Sequence, residues 1–111
     1  MSNLQTVSFD PIRTLAFGGI SGAFAPVGAP FANPVRLICI TNTTNGDLFF
    51  SVDGVTSQLI VPAGGFKLFD LNTNRTNQGQ WWILPANTQM YVKQSTAPTS
   101  GSVYIECLWG Q

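Results

Sequence analysis

The chain has 111 residues, five Lys plus Arg, five Asp plus Glu and no histidine, for a formal net charge of zero. That length fits one domain with a single modest core. Five scattered cations make no basic face for nucleic acid or for polybasic membrane docking, and a chain without histidine holds no Ser-His-Asp or Cys-His arrangement and no histidine-ligated metal. The hydrophobic fraction of 44% and aromatic fraction of 12% are too high for a disordered chain. Charged residues make up only 9% of the total, against roughly 25% in an ordinary soluble domain, so the surface is expected to be covered by other protein chains.

Residues 1–10 lack a basic segment followed by a continuous apolar run, so no signal peptide is expected. Between Arg13 and Arg36 the stretch "TLAFGGISGAFAPVGAPFANPV" carries no charge. It is apolar enough to suggest a membrane helix, which needs about 20 uninterrupted apolar residues. Here Gly18, Gly19, Gly22, Pro26, Gly28, Pro30 and Pro34 interrupt it. Each proline removes a backbone donor and pushes the preceding residue toward extended geometry, so a lone helix would leave carbonyls unpaired in lipid. The membrane reading fails. An extended ribbon remains, long enough to span on the order of 70 Å. Either it wraps its own domain or it lies on a neighbouring subunit. The expectation is a mixture, with Arg13–Phe17 as a strand and the rest as an arm at a contact. The chain then divides into residues 1–34, an N-terminal arm with the first strand, and residues 35–111, a β-sandwich core.

From Val35 the punctuation is regular. "VRLICITN" (35–42) is apolar on both alternating faces, as in a strand buried on both sides, and Asn45-Gly46 gives a hairpin signal. "DLFFSVDG" (47–54) alternates Leu48, Phe50 and Val52 against Asp47, Phe49, Ser51 and Asp53, and closes on Asp53-Gly54. "SQLIV" (57–61) is its partner, ended by Pro62 and Gly64-Gly65. "FKLFDL" (66–71), "WWIL" (81–84), "TQMYVK" (88–93) and "SVYIECLW" (102–109) complete about eight short strands with no helical period. The pattern predicts an all-β fold, a single small β-sandwich of jelly-roll type with an extended Gly/Pro-rich arm.

Little chemistry is visible. Cys39 and Cys107 read as buried free thiols, and matches to the glycosylation pattern at Asn42 and Asn74 read as chance in an Asn- and Thr-rich chain. Carboxylates are the sole general acid–base option, but Asp47, Asp53, Asp70 and Glu106 read as turn caps and surface contacts. Calcium held by Asp53 and Asp70 lacks a ligand-dense loop. No catalytic, cofactor or metal site is assigned. Trp81 and Trp82, adjacent in a strand, point to opposite faces, so one is exposed or at an interface. Trp82 with loop 72–80 could stack a sugar in a carbohydrate-binding module, or anchor a protein contact. The candidate interface is Leu15, Phe17, Ile20, Phe24, Val27 and Phe31 from the arm, with Trp82 and Tyr104.

The segments "RTLAFGGISGAFAPVGAPFANPVRLICITNTTNGDLFFSVDG" (13–54), "LPANTQMYVK" (84–93) and "TSGSVYIECLWG" (99–110) resemble a group of small virion structural proteins of tailed bacteriophages. Asn87 departs from the pattern at a turn that often carries glycine. The resemblance implies a multi-copy, non-enzymatic virion component: a head–tail connector or neck protein, or a capsid cement protein bridging capsomers. It further implies assembly in the host cytoplasm. The partners it implies are other copies of the chain and other virion proteins, such as the portal, tail or major capsid protein.

Overall fold

The computed structural model describes residues 7–70 and 84–110. Among the described residues nine strands run in chain order: β1 (Val7–Phe9), β2 (Arg13–Ala16), β3 (Ala25–Pro26), β4 (Leu37–Asn42), β5 (Leu48–Ser51), β6 (Leu59–Val61), β7 (Phe66–Asp70), β8 (Tyr91–Gln94) and β9 (Ser102–Gly110). They form two antiparallel sheets. The first has the order β1-β9-β4-β7, with β2 also pairing β9; the second has the order β3-β8-β5-β6. The all-β, two-sheet expectation holds. Of the eight predicted strands, "WWIL" contributes only Leu84, in an isolated bridge to Val35, because residues 81–83 lie outside the described residues. The short β1 and β3 are additions.

Alternation explains the layering. Ile38, Ile40 and Asn42 of β4 face inward opposite Val103, Ile105 and Cys107 of β9, while Leu48, Phe50, Val61 and Val92 line the second sheet's inner face. All these residues are at most 4% exposed, and the apolar ones belong to one core. β4 is therefore buried on one side and half-covered on the other, not buried on both: Leu37, Cys39 and Thr41 keep partial exposure.

Asn45-Gly46 does not close a hairpin. β4 and β5 belong to different sheets, and a two-residue type I′ hairpin needs positive φ at both central residues, whereas neither has it. What turns the chain is Asn42, fully buried. Its Nδ2 donates to the carbonyls of Gly46 (2.8 Å), Val61 (3.0 Å) and Pro62 (3.2 Å). Its Oδ1 accepts from the backbone N–H and hydroxyl of Thr44. Asn45 meanwhile exchanges two hydrogen bonds with Thr99, and a Cβ at Gly46 would run into the carbonyl oxygen of Thr96. Asp53-Gly54 is a true turn, with Gly54 at φ +74 between β5 and β6. At the turn before β8, Asn87 takes φ 70, a conformation asparagine tolerates better than most non-glycine residues. That accounts for asparagine where glycine is often found.

The charge-free stretch wraps its own domain. β2 lies along β9, β3 along β8, and Val27 and Phe31 donate backbone hydrogen bonds to Met90 and Thr88. Ile20 (6% exposed), Val27 (0%) and Phe31 (1%) enter the core. Arg13 fixes the ribbon there. Its Nε donates to the Ala29 carbonyl (2.7 Å) and its Nη2 to the Pro30 carbonyl and Asp10 Oδ2 (both 3.2 Å). The guanidinium lies 4.6 Å from the centre of the Phe31 ring. The Arg13–Asp10 pair is shielded, with side chains 10% and 7% exposed. Gly28, at φ +67, leaves room for the Arg13 side chain, which any Cβ there would overlap.

Candidate functional site

The predicted interface residues separate once folded. Ile20, Val27 and Phe31 are a correction: they lie in the subunit's own core and have no surface left for a neighbour. The reason is that the extended ribbon reaches back over its own sheets, where the hydrophobic effect is satisfied within the chain. Leu15 packs half-buried against that core, Phe24 is half-buried, and Phe17 is 40% exposed. Tyr104 is half-buried on the outer face of the first sheet. Trp82, with loop 72–80, lies outside the described residues.

Half of the large apolar side chains exposed among the described residues lie on or beside that outer face. Its register gives three rows across the strands: Phe9, Leu108, Leu37 and Asp70; then Glu106, Cys39 and Leu68; then Thr14, Tyr104, Thr41 and Phe66. Phe9 is 81% exposed, Phe66 65%, Leu68 56% and nearby Ile12 56%. A groove of about 240 Å³ opens among Phe9, Ile12, Leu37, Cys39, Glu106 and Leu108. Contiguous exposure of this kind marks a contact surface, unlike scattered single residues.

Sequence reasoning missed Phe9, Ile12, Phe66 and Leu68. In "FKLFD" the local pattern would send Lys67 to solvent, but pairing decides the facing: Lys67 lies opposite inward-facing Ile40 and is half-buried, so Phe66 and Leu68 turn outward. An inward charge on an edge strand is a known device for controlling edge pairing.

The second sheet's outer face is smaller and carries a different charge. Ile60, Phe49 and Lys93 form one row, with Tyr91 and Pro26 beside it. Lys93 Nζ sits 4.8 Å from the Phe24 ring centre and 6.0 Å from that of Phe49, within reach of a cation–π attraction.

Among the described residues, no group of three or more Cys, Asp or Glu could hold a metal ion. The Asp53 carboxylate accepts hydrogen bonds from the Ser51 hydroxyl and the Val55 and Thr56 N–H groups. These hold its pKa down to about 2. Cys107 is buried, and burial followed by nearby Asp10 pushes its thiol up to about 11. Both cysteines are free thiols. Cys39 lies opposite Glu106 and Cys107 opposite Ile38, so they face opposite sides of the sheet and cannot bridge. Asn42, as a fully buried and hydrogen-bonded side chain, is no glycan acceptor. A second cavity, about 260 Å³ between the sheets, is lined by Ile38, Ile40, Val52, Leu59, Phe69 and Met90 among others. Its one polar side chain, Gln58, is engaged by the Val52 N–H.

No family model matches the chain, and no curated protein matches it in sequence. Solved structures do. A chain of the cyanophage Pam1 capsid asymmetric unit is 15% identical with a TM-score of 0.53, covering 99% of this chain and 88% of that one. A chain from the Bacillus endospore appendages, which form disulfide-linked pili, is 12% identical with a TM-score of 0.52, covering 96% and 90%. The Dit protein of the SPP1 phage hub adsorption apparatus is a looser match, 15% identical at a TM-score of 0.41, with 93% of this chain spanning 49% of that one. At these identities the capsid and pilus chains share with this one its two-sheet fold.

Proposed function

We propose that the chain is a non-enzymatic, multi-copy structural subunit of a tailed-phage virion, placed at the head–tail junction, where it holds neighbouring subunits together. The observation that carries this reading is the apolar outer face of the first sheet, from Phe9 and Ile12 across Leu37 and Leu108 to Leu68 and Phe66. Apolar area of that extent stabilises an assembly when it is removed from water, at about 25 cal/mol per Å². Its exposure in a lone subunit is otherwise an association hazard. The fold shared with a capsid chain supports the same reading, as does the resemblance of the three sequence segments to small phage virion proteins. A ring at the head–tail junction suits a subunit with two different outer faces, since heterologous contacts close into rings when the rotation between copies allows it.

Quantitative mass spectrometry of purified particles tests it, counting this chain against the portal and the major shell protein. A copy number that is a small multiple of the portal's is expected. A count matching the shell protein would move the subunit to the capsid surface as cement. Absence from the particle would overturn the reading.

A further inference from the structure

We propose that copies of this chain associate head to tail, the outer face of the first sheet of one copy covering the outer face of the second sheet of the next, with Glu106 set against Lys93. The proposal rests on the multi-copy reading above and names the partner surface.

The two faces are complementary in charge at their centres. In the first, Glu106 is exposed in the middle row and Asp70 lies at the β7 edge; the strand register places no cation on that face. In the second, Lys93 is the one charge on the strand rows, set between the Phe24 and Phe49 rings. Asp47 and Asp53 lie beyond the two ends of β5 and keep their charges, Asp47 Oδ1 accepting from the Ala63 N–H and Asp53 Oδ1 from Ser51, Val55 and Thr56. Among the described residues, the ion pair Arg13–Asp10 involves neither Glu106 nor Lys93. Each charge is ringed by apolar side chains: Cys39, Leu68, Leu37 and Leu108 around Glu106, and Phe24, Phe49 and Ile60 near Lys93.

Symmetric alternatives fail on electrostatics. Packing two first-sheet faces together places Glu106 near its own copy, and packing two second-sheet faces does the same for Lys93. Like charges brought together at an interface are costly. The faces lie on opposite sides of the sandwich, so one copy engages two neighbours, and repetition builds a ring or a filament.

The test uses purified full-length chain and sedimentation velocity at low ionic strength, where charge effects are least screened. Wild type should associate. Glu106→Lys sets a cation against Lys93 and Lys93→Glu sets a carboxylate against Glu106, so each alone should weaken association by at least about tenfold. An equimolar mixture of the two variants should restore it, because each introduced charge then meets one of opposite sign. The double variant should restore it as well. Circular dichroism establishes that each variant is folded. Should Lys93→Glu unfold, Lys93→Met keeps the stem on the aromatic rings and should still weaken association and remove its salt dependence. Single variants that assemble like wild type, a mixture that fails to recover, or a wild-type chain that stays monomeric up to about 1 mM would each overturn the proposal. If the chain is nevertheless counted in particles, the virion reading survives and only this contact fails; if it is absent from them, the virion reading fails too.

Discussion

Replacing Phe31 by alanine asks whether the Gly/Pro-rich ribbon belongs to its own subunit. The ring is 1% exposed, packs in the core and lies under the Arg13 guanidinium at 4.6 Å. Truncating a buried phenylalanine costs about 3–5 kcal/mol through lost transfer energy and the cavity left behind. The lost cation–π contact adds about 0.5–2 kcal/mol and moves the total toward the upper end of that range. About 4 kcal/mol is a large part of the 5–15 kcal/mol that holds a typical domain folded. With a urea slope of about 1.5 kcal/mol per molar, the unfolding midpoint should fall by about 2–3 M. The assay is equilibrium unfolding followed by tryptophan fluorescence, at a concentration low enough that the midpoint no longer depends on it. Phe17→Ala, at a residue 40% exposed, is the control and should stay within about 0.5 kcal/mol. A fall below about 0.7 M for Phe31→Ala, or a loss equal to that of Phe17→Ala, would refute the reasoning and return Phe31 to a neighbour's surface. By the same logic, deleting residues 1–34 should give an unfolded chain, since Ile20, Val27 and Phe31 leave the core together.

Three further outcomes follow from particular side chains. Asn42→Leu strands the Thr44 N–H and removes the amide donor from the carbonyls of Gly46 and Val61 in the interior, so thermal or urea unfolding should show a loss of about 3 kcal/mol or more. Asp53 has a folded pKa of about 2, below its unfolded value. Its contribution is therefore fully present above about pH 4 and is lost as pH falls through 2. Asp53→Asn should flatten the acid limb of the stability profile in that window, and a carboxyl titration midpoint near 4 in the folded protein would contradict the hydrogen bonding seen. Cys39 is partly exposed, whereas Cys107 is buried and raised to about 11. A thiol reagent at pH 8 should label one site quickly, Cys39→Ser should remove that fast phase, and Cys107 should react only on unfolding.

The sequence by itself determined the fold class. Period-two alternation in "SVYIECLW" and "TQMYVK" places Val103, Ile105, Cys107, Met90 and Val92 inward, and all five are buried. Breakers at Asp53-Gly54 and Gly64-Gly65 lie where strands end. Composition alone excluded histidine chemistry and pointed to protein contacts. Tertiary structure decided the rest, because alternation fixes which side chains share a face but not which sheet a strand joins. Asn45-Gly46 has the residues of a hairpin, yet the buried amide of Asn42 sends β5 into the other sheet. The charge-free ribbon could have lain on either chain. The Arg13 hydrogen bonds to Ala29 and Pro30, made across residues distant in sequence, bind it to its own. With Ile20, Val27 and Phe31 drawn inside, half of the large apolar side chains exposed among the described residues, Phe9, Ile12, Phe66 and Leu68, lie on or beside the outer face of the first sheet. Sheet register brings these residues together on one face, and no local pattern could show it.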